Sequence, residues 1–240
     1  MNPQTSIIWS ENTPLTRKFI WQHPLHGGNK MEDLQSVIKS RRSIRKFLPD
    51  TISDDDIREI VDAGMNAPSG CNSQCWQFVA VKDKSLLGKI AEGAEKGIRE
   101  FYNDANYEPA YMEARSKKAT FFANAPLVLF VFMTKLHYYD EQATKYYETL
   151  GYSHETMMSA LGSPDILSIG ASIQNMLLTI HQKGLGACWM NDPIAAQANI
   201  CSVLDVPGTW RLISVIPIGK PAYHPRDKQL KAMEEVLIIR

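Results

Sequence analysis

The nine residues Ala125-Pro-Leu-Val-Leu-Phe-Val-Phe-Met133 are the longest unbroken apolar run in the chain, and they constrain its fold more than any other stretch. A bilayer crossing needs roughly 20 such residues, so this run belongs in the core of a globular protein. It reads as a strand over residues 126–133. A strand apolar at every position has to lie centrally in its sheet, with other elements packed around it.

Around that strand the pattern alternates between helical and extended periods. Leu34, Val37 and Ile38 have the spacing of a short amphipathic helix ending near Arg41. Ser53 followed by Asp54, Asp55 and Asp56 is a helix start, with a capping hydroxyl and acids in the first turn, and Ile57, Ile60 and Val61 form the buried face of that helix. Strands are expected over 76–81, 210–219 and 234–240, and helices over 85–103, 109–122, 164–183 and 193–204. Residues 138–158 are rich in tyrosine and are expected to cover a pocket. The strands are too few for a regular doubly wound sheet, so the fold class is α+β, a small central sheet surrounded by helices. Residues 1–30 show no sustained period and read as an N-terminal extension to a domain over 31–240.

Lys+Arg and Asp+Glu balance at 26 each, which leaves no global field to attract nucleic acid or an anionic membrane. The N-terminus lacks the basic, then apolar, then small-residue order of a signal peptide, and a cytoplasmic location is expected, with the four cysteines as reduced thiols.

Four stretches carry chemistry. Arg41-Arg-Ser-Ile-Arg-Lys-Phe47 places four cations and a hydroxyl within a few residues, the equipment for a phosphate or equally a solvated basic face. Pro68-Ser-Gly-Cys-Asn-Ser-Gln-Cys-Trp76 combines glycine with two carboxamides that could read a planar heterocycle, although the same residues serve as ordinary turn chemistry. Gly184-Leu-Gly-Ala-Cys-Trp-Met-Asn191 leaves a long apolar helix, and Ile216-Pro-Ile-Gly-Lys-Pro221 leads to a tail with His224, Arg226, Lys228 and Lys231. Cys71 and Cys75 lack the second pair or nearby histidine that a metal site requires, and no phosphate-binding glycine loop of the nucleotide-triphosphate or dinucleotide type is present.

Together and in this order the four stretches resemble the nitroreductase family of flavin-dependent NAD(P)H oxidoreductases, over about residues 32–240. The resemblance implies a central mixed β-sheet surrounded by helices, and a homodimer with an exchanged C-terminal segment and flavin mononucleotide (FMN) at its interface. It implies that Arg41 and Ser43, with Arg42 beside them, hold the flavin phosphate and ribityl chain, and that Arg45 lies near flavin N1 and O2, where reduction places negative charge. Pro68, Ser69, Gly70 and Asn72 match the loop that reaches the flavin of the partner subunit. Trp189, Met190 and Asn191 match the segment against the isoalloxazine, with a backbone N–H near N5, and Lys228 or Lys231 completes the phosphate site. Two positions depart from the family pattern: Cys75 stands where proline is usual, and Leu230 where arginine is often found.

The implied reaction is ping-pong hydride transfer from NADH or NADPH to nitroaromatics, quinones or similar small-molecule acceptors. The cofactor carries the chemistry, and no side chain need act as acid or base. Two further readings stay open: a specialised relative of the same fold, a dehalogenase or flavin-consuming enzyme, and a flavin-binding redox sensor using Cys71 and Cys75.

Overall fold

The structure is a computed structural model and describes residues 33–102, 107–134 and 141–240; the expected extension over 1–30 and Tyr138 and Tyr139 lie outside the described residues. Eight helices are found among these: α1 (Leu34–Ser40), α2 (Asp54–Met65), α3 (Lys84–Phe101), α4 (Pro109–Thr120), α5 (Glu141–Thr149), α6 (His154–Ala160), α7 (Pro164–Gln182) and α8 (Gln197–Leu204). They surround a four-stranded sheet of β1 (Trp76–Val81), β2 (Leu127–Met133), β3 (Gly186–Ala187) and β4 (Arg211–Gly219), in the order β1-β2-β4-β3.

The apolar run becomes β2, paired on both sides, with Trp76 opposite Met133 on β1 and Leu127 opposite Ile218 on β4. Its side chains alternate between two cores. Leu127, Leu129, Val131 and Met133 face α2, α6 and α7, meeting Ile60, Met157, Ile169, Ile173 and Met176. Val128, Phe130 and Phe132 face α3, α4 and α8, meeting Leu87, Ile90, Ala94 and Ile200. Burial of every residue of β2 follows, because helices cover both faces of the sheet.

All four strands pair antiparallel, and the parallel component of the expected mixed sheet is an isolated bridge between Ser43 and Ala187. The expected helix over 193–204 begins as a 3-10 turn, Asp192–Ala196, where Pro193 occupies the first turn, and only then becomes α8. The expected strand over 234–240 is absent. Met233–Glu235 forms a 3-10 turn and the residues after it have no regular structure. A strand needs a ladder partner, and this chain offers none there. In α1, Val37 is buried while Leu34 and Ile38 face outward.

Helix α2 starts as its sequence dictates: the Ser53 hydroxyl accepts the Asp56 N–H at 3.0 Å, closing an orphan donor of the first turn. It then packs closely on α7 at Gly64, where an added Cβ would lie 2.8 Å from Cγ of Met176.

Candidate functional site

The basic stretch after α1 is held against the edge of the sheet by backbone hydrogen bonds. Ile44 N–H donates to the Ala187 carbonyl at 2.9 Å, Leu48 N–H to Lys220 at 2.9 Å, and Ala222 N–H to Lys46 at 3.0 Å. Ile44 is buried because Gly186 leaves room for it: a Cβ on Gly186 would lie 2.5 Å from Cγ1 of Ile44. With Ile44 turned inward, its neighbours Ser43 and Arg45 remain accessible. Arg41 and Arg42 line a crevice with Leu177, Ile180 and His181 of α7 and with Gly186 and Ala187 of β3. Among the described residues, no carboxylate forms an ion pair with Arg41 or Arg45. An unneutralised pair of guanidinium groups beside a serine hydroxyl fits a phosphate monoester.

Arg45 also reaches Cys188, a residue the sequence reading passed over. Burial pushes the Cys188 thiol up, while the guanidinium charges of Arg45 and Arg41 pull it the other way. The Arg45 N–H donates to the Tyr223 hydroxyl at 3.3 Å, so the tail contributes an unforeseen residue too. Neither had a sequence signal beyond its place inside a motif.

Arg42, beside Arg41, is held by contacts within the protein. Its Nη1 faces the carbonyls of Lys39 (2.6 Å), Ser40 (2.9 Å) and Arg41 (3.1 Å), the orphan acceptors at the end of α1. Its Nε donates to the Arg226 carbonyl at 3.3 Å and its Nη2 to Asp227 at 3.2 Å. Both edges of the guanidinium are thus engaged by protein. Lys228 joins this cluster by donating to the Ile38 carbonyl at 3.2 Å, and burial, then the charges of Arg41 and Arg42, hold its pKa below the ordinary lysine value. Lys231 is exposed and has no such contact.

The loop over 66–75 is a strained structure rather than a generic turn. Cys71, Asn72 and Gln74 all have left-handed backbone, with φ of 52°, 52° and 46°. Such conformations persist only where surrounding contacts over-determine them. Here the Ser69 hydroxyl accepts the Gln74 N–H at 3.1 Å, and Gly70 N–H donates to the Ser168 hydroxyl of α7 at 3.0 Å. Cys75 is buried against the Asp165 carbonyl, and burial raises its thiol pKa; Cys71 is exposed, and all four cysteines are free thiols. Pro68 and Asn72 are exposed.

The loop and the basic cluster stand far apart within one chain. Gly70 is tied to Ser168 near the start of α7, whereas Ser40 is tied to His181 in its last turn, at 2.7 Å. Thirteen residues of helix separate those anchors, about 20 Å at 1.5 Å per residue.

Trp189 is half-exposed and its ring edge lies over Gly170 of α7. Asn191 is exposed and opens the 3-10 turn. Met190 is not on that surface. Its backbone pairs with Val215 at 3.0 Å in both directions, and its side chain is buried with the α3 and α8 core, because alternate residues of an extended segment point to opposite faces. Beyond the loop, a cavity of about 410 Å³ is lined by Met133, His154, Met158, Asp165 and Arg211, among others, so the later part of the tyrosine-rich stretch does border a pocket. No group of His, Cys, Asp and Glu able to hold a metal occurs among the described residues, and none of their helices is long and apolar enough to cross a membrane.

Fold and site together define an α+β protein with a cluster of basic side chains at one end of its long helix α7. The chain belongs to the nitroreductase family, whose sequence profile matches residues 38–220. It is 24% identical over 213 residues, 88% of this chain and 98% of the other, to an iodotyrosine deiodinase from Thermotoga neapolitana. A BluB-like flavoprotein from Clostridium difficile 630 superposes with a TM-score of 0.74 at 28% identity, over 87% of this chain and 99% of that one. A nitroreductase with bound FMN from Bacteroides fragilis shares the fold, with a TM-score of 0.63 at 20% identity, covering 87% of this chain and all (100%) of that one.

Proposed function

We propose that this protein is an FMN-dependent oxidoreductase that works as a homodimer, reducing nitroaromatics, quinones or related electron-poor acceptors at the expense of NADH or NADPH. The observation that carries the reading is the separation of the strained loop from the cation cluster along α7. Two half-sites at opposite ends of one helix become a whole when a second copy lies antiparallel against the first, each loop then facing the other chain's cluster.

FMN, when bound, supplies the redox centre that accepts hydride from the nicotinamide and passes it to the acceptor. Arg41, Ser43 and Lys228 hold its phosphate, with Lys231 within reach of the same tail. Arg45 keeps a positive charge where reduction creates negative charge, and the bond from its backbone N–H to the Tyr223 hydroxyl holds the segment in place so that little reorganisation is needed. Pro68, Ser69, Gly70 and Asn72 cover the cofactor from the partner subunit, while Trp189 and Asn191 line its own. Arg42 supports the site from behind, and Met190 contributes through its backbone.

The similarity to a deiodinase over nearly the whole chain favours reductive dehalogenation of an aromatic substrate as a second reading. One experiment separates the two. The purified protein is expected to be yellow, to bleach with NADH or NADPH without oxygen, and to recover its colour with a nitroaromatic or quinone. Recovery with a halogenated phenol alone selects the second reading, and a protein that cannot be loaded with FMN refutes both. Arg45→Ala is expected to weaken FMN binding or slow its reduction about tenfold or more, the scale of losing one hydrogen bond to a charged group.

A further inference from the structure

We propose that Arg42 and Lys228 form a clasp that fastens the C-terminal tail to the end of α1, and that a phosphate monoester bound at Arg41 tightens it. Tail order and anion occupancy are then coupled. The coupling rests on the reading of this cluster as a phosphate site, whereas the clasp stands on the contacts alone.

The guanidinium of Arg42 bridges two pieces of chain more than 180 residues apart, with carbonyls of Lys39, Ser40 and Arg41 on one side and Arg226 and Asp227 on the other. Lys228 makes a second stitch to Ile38, the residue before Lys39 in α1. Closing these stitches buries part of Lys228 and brings it beside Arg41 and Arg42, so three like charges meet with one carboxylate among them; burial first, and then the charges of Arg41 and Arg42, hold the Lys228 pKa below the ordinary lysine value. Asp227 is the carboxylate ion-paired in the cluster, and it is fully exposed, so solvent and salt screen it. Unneutralised repulsion therefore opposes the closed tail, and an anion with two negative charges relieves it. By linkage, whatever an anion adds to tail docking, tail docking adds to anion affinity. Arg42 is in this scheme a positioning residue, acting on the anion through Arg41 and Lys228.

The test is amide hydrogen exchange of residues 225–232 in the full chain, alone and with FMN, riboflavin or inorganic phosphate, in the wild type and in Arg42→Gln. FMN is expected to slow exchange at least about fivefold, the lower end of ordinary coupling, inorganic phosphate to do so in part, and riboflavin, which lacks the phosphate, to leave it unchanged. Arg42→Gln is expected to speed tail exchange with no ligand present and to raise the FMN dissociation constant in proportion. Equal protection by riboflavin and FMN would overturn the coupling. Weakened FMN binding in Arg42→Gln with an unaltered tail would make Arg42 a direct ligand and overturn the clasp. A protein that takes up no flavin refutes the cofactor reading instead, and the proposal is then decided by inorganic phosphate: protection of the tail supports it, and none overturns it.

Discussion

A single methyl group at Gly186 would place a carbon 2.5 Å from Cγ1 and 2.8 Å from Cβ of Ile44, inside any real contact distance. Ile44 cannot yield by rotating a flexible end, since the atoms approached include its branch point. The segment carrying Ser43 and Arg45 would have to move instead. Gly186→Ala is therefore expected to lower stability by about 1–3 kcal/mol, the usual cost of overpacking, and to weaken FMN binding with it; urea unfolding and a flavin titration measure the two, and an unaltered unfolding midpoint contradicts the packing argument. At this scale the sequence was informative about which residue types gather and silent about which way each one faces. Arg41, Ser43 and Arg45 were legible as a group through the order of all four stretches, since the basic stretch alone reads equally as a solvated face. Arg42 and Met190 stand within the same motifs, yet one is turned to the carbonyls of a helix end and the other into a core. Only the path of the backbone decides that.

At the scale of elements, β2 was readable because burial on both faces leaves no polar position to interrupt the run, and α2 because its cap and first-turn acids are local chemistry. The strand expected over 234–240 failed because strand formation depends on a partner, which no local pattern encodes. The contact between α2 and α7 offers a pH test. Lys183 near the end of α7 bonds Asp56 at 2.8 Å and also Glu59, bridging the first turns of α2 to the last of α7. The hydrogen bond from Lys183, followed by that from Ser53, holds the Asp56 carboxyl below its ordinary value of 3.8. A carboxyl depressed by folding contributes stability that is present above its unfolded pKa and is lost as pH falls through the folded one. Lys183→Met is thus expected to destabilise the protein at pH 7 and to do so less as pH drops below about 3.8. Because the pair is partly exposed, the difference at pH 7 is expected to be at most about 1 kcal/mol. Denaturant midpoints of both proteins at several pH values check this, and a gap that widens in acid would contradict the sign.

At the scale of the whole molecule, one chain leaves apolar surface that its own elements do not cover. Ile238 and Ile239 are 77% and 86% exposed, and Leu167 on α7 is 68% exposed. The tail bearing the isoleucines begins where the clasp ends, and residues 236–240 contribute no side chain to either core. Deleting residues 236–240 should therefore leave the fold of the protomer intact. If the tail embraces a second copy in the homodimer proposed above, the deletion removes interface without removing core. Full burial of one isoleucine is worth about 1.5–3 kcal/mol, and each 1.4 kcal/mol is a factor of ten in affinity. The dimer dissociation constant of the truncated chain is thus expected to rise at least about tenfold, with an unfolding transition still cooperative. Sedimentation equilibrium over a range of concentrations reads the first and thermal denaturation the second. Loss of FMN binding on dilution through that dissociation constant would follow from a loop and a cluster that meet only across two chains. FMN affinity that holds constant while the dimer dissociates would show that one chain completes the site alone, against the geometry of α7.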